Sequence, residues 1–82
     1  MCLRDTHTRC AKSAFNELLK RIDDYEDDGM KYAHRLYRVV LRLNKHYPED
    51  RKLWMALVSG IHAATMHDTL GVTAAKLMMN KA

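Results

Sequence analysis

Residues 31–46 read KYAHRLYRVVLRLNKH, a run with seven basic or imidazole side chains and no carboxylate. On a wheel of about 100° per residue, Lys31, Arg35, Arg38, Arg42 and Lys45 are spaced four, three, four and three and share an arc of about 80°. His34 and His46 flank that arc, one on each side. The rest of the circumference, from Val39 round through Tyr32, Leu43, Leu36, Tyr47, Val40, Ala33 and Tyr37 to Leu41, is apolar or aromatic over about 200°. One helical period orders both halves, so the segment predicts a helix that anchors a core on one side and displays charge on the other. It is expected to run from about Gly29 to Tyr47, because Pro48 disfavours the α region in the residue before it.

Towards the N-terminus, Ala11, Ala14, Phe15, Leu18, Leu19, Ile22 and Tyr25 recur at three and four and predict a first helix whose buried stripe spans roughly 140°. Thr6 or Thr8 is its expected N-cap and Asp27 its approximate end, with residues 1–6 a flexible lead-in. The acidic run DDYEDDG, residues 23–29, is unfavourable at a helix C-terminus, where it faces the negative end of the macrodipole. Asp27 or Asp28 is therefore expected to cap the second helix, with Gly29 easing the turn.

Downstream, Pro48 suits the first turn of a third helix, where its missing N–H costs nothing, and Glu49 and Asp50 suit the same positive end. That helix is expected to continue to Leu70 and stop at Gly71, a left-handed C-cap residue. Thr73 then caps a short fourth helix, AAKLMMNK, whose Leu77 and Met78 fold back onto the core. Ala56, Gly60 and Ala64 make one side of the third helix flat, and Trp54, Leu57, Val58 and Ile61 form a bulky stripe beside it. A helix that packs on two sides belongs at the centre of the bundle.

These elements imply an all-α fold: a small bundle of three long helices plus a short C-terminal one. Eighty-two residues allow one domain, at the size where a single core barely suffices and oligomerisation is a common supplement. The apolar arc of the second helix is wider than a three-helix core readily covers, which predicts a homodimer. One proline and three glycines leave few places for turns, and no repeat, linker or low-complexity tract is visible. MCLRDTHTRC is charged from its fourth residue and lacks the apolar core of a signal peptide, and no uncharged run is long enough to span a bilayer. The expectation is a soluble, cytoplasmic protein with its cysteines reduced, since Cys2 and Cys10 on one helix would lie about 12 Å apart.

The charge pattern carries the functional expectation. Like charges at i and i+4 repel by about 0.2 to 0.5 kcal/mol per pair, and nothing within the second helix relieves that cost. Two arrangements explain the stripe structurally: DDYEDDG or the Glu49–Asp50 pair folds over it, or it is simply a solvated face. The functional explanation is a ridge for phosphates or for an acidic protein surface, made of Lys31, Arg35, Arg38, Arg42 and Lys45 with His34 and His46 at its margins. A formal net charge of +4 means that the acidic residues cannot cancel all the basic ones. The five span about 21 Å of helix, enough for several phosphates spaced about 7 Å apart along one strand. The expected partner is nucleic-acid backbone or an acidic protein surface. The competing expectation is a protein-interaction or inhibitor module, a small helical regulator or phage-encoded host-takeover type, that binds through an apolar, methionine-containing surface.

Other constellations are weaker. HAATMHDTLGVTAAKLMMNKA has the helix–turn–helix order, but His67 stands where that motif wants a small residue and Asn80 where it wants an apolar one. Its second helix offers Lys76, Asn80 and Lys81 to a nucleic acid. Cys2, His7 and Cys10 lack the paired spacing of structural zinc sites, and His62 and His67 diverge by roughly 140°. There is no glycine-rich phosphate loop, nucleophile elbow or paired catalytic carboxylate. The expectation is a non-enzymatic protein with no cofactor, no metal and no membrane partner.

Overall fold

The computed structural model describes residues 3–24 and 28–81. Its elements are α1 (Leu3–Asp23), α2 (Gly29–His46), a 3-10 turn (Pro48–Asp50), α3 (Arg51–Thr65) and α4 (Thr69–Lys81). Among the described residues there is no strand, and the architecture is the expected helical bundle. Cys2, Tyr25 and Asp27, to which the sequence reading gave roles, lie outside the described residues.

α1 starts earlier than its threonines suggest. It begins at Leu3, so Thr6 and Thr8 lie inside the helix, not at its cap, and residues 3–6 are helical instead of a flexible lead-in. LRDT contains neither glycine nor proline, and adding such residues to a helix costs only a few tenths of a kcal/mol each. At the other end Asp28 occupies the N-cap position of α2, yet its side chain makes no cap hydrogen bond. Its carboxylate accepts instead from Nη1 of Arg21 on α1. Arg21 also pairs through Nε with Glu17 at 3.2 Å and sits over the Tyr32 ring, 4.8 Å from its centroid. One arginine thus ties the end of α1 to the start of α2.

The α2–α3 corner follows from Pro48. Tyr47 leaves the helix at φ −128°, and its carbonyl oxygen accepts a 2.9 Å hydrogen bond from the Trp54 indole nitrogen. The third helix proper starts at Arg51, after the 3-10 turn that Pro48 opens.

The largest departure lies between α3 and α4. The helix breaks at Met66–Asp68 and not at Gly71. His67 takes the left-handed conformation, φ 54°; its N–H bonds to the Ala64 carbonyl at 3.1 Å, and the Asp68 N–H reaches the Ala63 carbonyl at 2.9 Å. That pair of bonds is a Schellman motif with histidine in place of the usual glycine, a residue type that tolerates positive φ better than most. Asp68 then caps α4, its Oδ1 accepting from the Gly71 N–H at 3.0 Å. Gly71 therefore sits in the first turn of α4, and Thr73, expected to be the cap, lies inside the helix with its hydroxyl bonded back to the Thr69 carbonyl.

α3 is the central element, in contact with α1, α2 and α4, whereas among the described residues the backbone of α4 comes close to that of α3 alone. The core combines Phe15 and Leu18 of α1, Leu36 and Val40 of α2, Trp54, Leu57 and Ile61 of α3, and Ala75 and Met79 of α4. The flat side of α3 has a measurable consequence at Gly60. A Cβ there would stand 2.8 Å from Cζ of Phe15 and 3.1 Å from Cβ of Ala75. Leu77 and Met78, expected to fold inward, are 57% and 54% exposed, because the close approach of Ala75 to Gly60 and of Gly71 to Ala63 fixes the other face of α4 against α3.

Gly60→Ala is expected to destabilise the protein by about 1 kcal/mol in urea unfolding. Overpacking a filled core costs about 1–3 kcal/mol, and alanine returns only about 1 kcal/mol of helix propensity. The Phe15 ring, 1% exposed, has nowhere to move.

Candidate anionic-partner interface

α2 divides as the wheel requires. Gly29, Ala33, Leu36, Val40 and Leu43 are its buried residues, on an arc of about 80°. Directly opposite, Lys31, Arg35, Arg38, Arg42 and Lys45 are all exposed, and so are His34 and His46. The ridge runs along about 21 Å of a particle 36 Å in its longest dimension. It is continuous, because the backbone that carries it is an unbroken helix pinned at one end by Arg21 and at the other by the Tyr47–Trp54 bond.

The seven side chains form no ion pair or hydrogen bond with a described residue. Asp28, the described member of the acidic run nearest α2, is engaged by Arg21. Neither Glu49 nor Asp50 pairs with the ridge. Asp27 and Glu26 lie outside the described residues. Among the described residues the stripe is thus left with its mutual repulsion unrelieved.

The core covers less of α2 than the apolar arc offers. Tyr37, Val39 and Leu41 are each 40% exposed, and Met30 more so. Met30, His34, Tyr37 and Leu41, spaced four, three and four, form an apolar and aromatic margin along one edge of the ridge. Beside that margin a cleft of about 260 Å³ opens between α2 and α3, lined by Met30, His34, Tyr37, Ile61 and His62 among others. Exposed rings and apolar groups next to a cationic stripe suit contacts with bases or sugars as well as with phosphate.

Other residues singled out from sequence are dispersed. His7 packs against the Tyr47 ring, with centroids 5.7 Å apart, and Cys10 is a free, exposed thiol. Lys76, Asn80 and Lys81 are exposed on α4, whose backbone does not come close to that of the ridge helix. No helix among the described residues is long and apolar enough to cross a membrane.

The sequence offers an apolar, methionine-containing surface but gives it no place. α3 and α4 flank an open trough of about 830 Å³, whose walls include Met55, Met66, Ala74 and Met78, with Arg51 and Lys52 towards one end and Asp68 towards the other. On α4, Leu70 is 84% and Leu77 57% exposed. The signal for the trough lay in residues 66–78, where too many apolar side chains recur for a single buried stripe. Compared with protein-family models, with curated proteins and with solved structures, the chain matches none.

Proposed function

We propose that the protein is a small non-catalytic binding module whose α2 ridge engages the backbone of a nucleic acid. The observation that carries the reading is the arc of Lys31, Arg35, Arg38, Arg42 and Lys45, every one of them exposed and unpaired with any described carboxylate. Three arginines supply planar forks suited to bidentate phosphate contact, and the two lysines extend the row at both ends. Such a surface positions the protein on the backbone and reads few bases. His34, His46 and Tyr37 lie at its margins, where they add contacts without setting the charge.

The test is a salt series. If each of the five ridge cations neutralises one phosphate, log K falls against log salt with a slope of about −4.5 on duplex DNA and about −3.5 on a single strand. A slope near zero on every nucleic acid, together with tight binding to an acidic polypeptide, would move the reading to an acidic protein surface. The alternative class, a protein-interaction or inhibitor module, is favoured by a separate observation: the methionine-walled trough between α3 and α4.

A further inference from the structure

One exposed flank of α4 is apolar, and among the described residues α3 is the one helix whose backbone lies close to it. We propose that this face, with the trough beside it, is the interface of a symmetric antiparallel dimer, so that its occupant is α4 of a second copy of the chain. The argument is one of register and charge.

Leu70, Gly71, Ala74, Leu77 and Met78 share an arc of about 120° on α4. Their positions are symmetric about Ala74, at minus four, minus three, zero, plus three and plus four. A two-fold axis at the level of Ala74 therefore sets Leu70 against the partner's Leu77 and Met78 against the partner's Gly71. Large meets large on one flank, and small receives large on the other. Ala74 at the axis has only a methyl group, which lets the two backbones approach.

Charge selects the same orientation. The approach of Gly60 to Ala75 and of Ala63 to Gly71 shows that α3 and α4 run antiparallel. Arg51 and Lys52, at the start of α3, accordingly lie at the end of α4 that carries Lys81. Asp68 stands at the opposite end, beside the C-terminus of α3. An antiparallel pair brings the cationic end of each protomer over the Asp68 end of the other, twice. A parallel pair would bring like ends together. The backbone of α4 lies apart from that of α2, so an interface on α4 is separate from the ridge.

Sedimentation across a concentration series is expected to give twice 9.6 kDa, returning to the monomer on dilution. Leu77→Glu should weaken association by about 30-fold or more with the far-UV spectrum unchanged. A chain carrying Arg51→Glu and Lys52→Glu should be monomeric alone, as should Asp68→Lys, while mixing the two restores a heterodimer in which both end contacts are attractive. A readout indifferent to the α4 cap is oxidation of Ala74→Cys with Cys2 and Cys10 replaced by serine: it cross-links at the axis, and Thr73→Cys does not. A protein that is monomeric at every concentration overturns the proposal. So does a dimer that ignores Leu77→Glu, a pair of charge variants that fail to combine, or equal cross-linking at positions 73 and 74.

Discussion

Reversing Arg35, Arg38 and Arg42 to glutamate together is expected to abolish the proposed nucleic-acid binding while the helical content holds. The ridge charge changes from +5 to −1, since each reversal removes two units (5 − 6 = −1). Three charge-assisted contacts at about 1.5 kcal/mol each are lost, which is about a thousandfold in affinity, and repulsion from phosphate adds to that. The fold does not suffer in exchange. Of the four neighbouring pairs along the ridge, Lys31–Arg35 and Arg42–Lys45 become attractive, and the two between the reversed residues stay like-charged. α2 therefore gains about 0.2–0.5 kcal/mol for each relieved contact. Fluorescence anisotropy on labelled duplex and single strand, read beside circular dichroism, gives the answer. Undiminished binding by a folded triple variant would remove the ridge from the function.

Trp54→Ala brings the protein to the edge of unfolding at room temperature. The indole is fully buried, and its N–H is the donor to the Tyr47 carbonyl that closes the α2–α3 corner. Truncating a buried tryptophan costs about 3–5 kcal/mol, set against a total of about 4–12 kcal/mol for a domain of this length. Trp54→Phe separates the two contributions. It keeps most of the apolar volume but leaves the Tyr47 carbonyl without its donor, for a smaller loss of about 1–3 kcal/mol. Urea unfolding followed at 222 nm measures both variants. A loss under about 1 kcal/mol for the alanine variant would mean that the core is not organised around α3.

α2 was readable from sequence to within one residue at its C-terminal end, because a pattern of period 3.6 and a following proline agree on where the helix stops. The break after α3 was not. Gly71 offers the strongest local signal for a left-handed cap, but Asp68 is the better N-cap and His67 accepts positive φ, so local preferences are nearly balanced. Tertiary contact decides: Gly71 is needed inside α4, where a Cβ would come within 2.9 Å of Cβ of Ala63. The same contact turns Leu77 and Met78 outward, which no reading of α4 by itself could show.

The ridge was legible as an arc, since exposure of a polar face follows from burial of its opposite. Its pairing was not, because the choice of Asp28 for Arg21 depends on how α1 and α2 meet in space. The exposure of Tyr37, Val39 and Leu41 had the same origin. A helix with two neighbouring helices buries about 80° of its surface here, whatever its composition offers.

The attachment of α4 chiefly to α3 also governs how the native state opens. Detaching α4 gives up Ala75 and Met79 from the core and leaves Trp54, Leu57 and Phe15 with their partners on α1, α2 and α3. The most accessible partly unfolded form is therefore a three-helix body with a frayed C-terminal segment, and the amides of α4 exchange with solvent ahead of those in α3. Anything that seats on the outer face of α4 raises the free energy of that opening, so association and the local folding of the last thirteen residues of helix are one equilibrium.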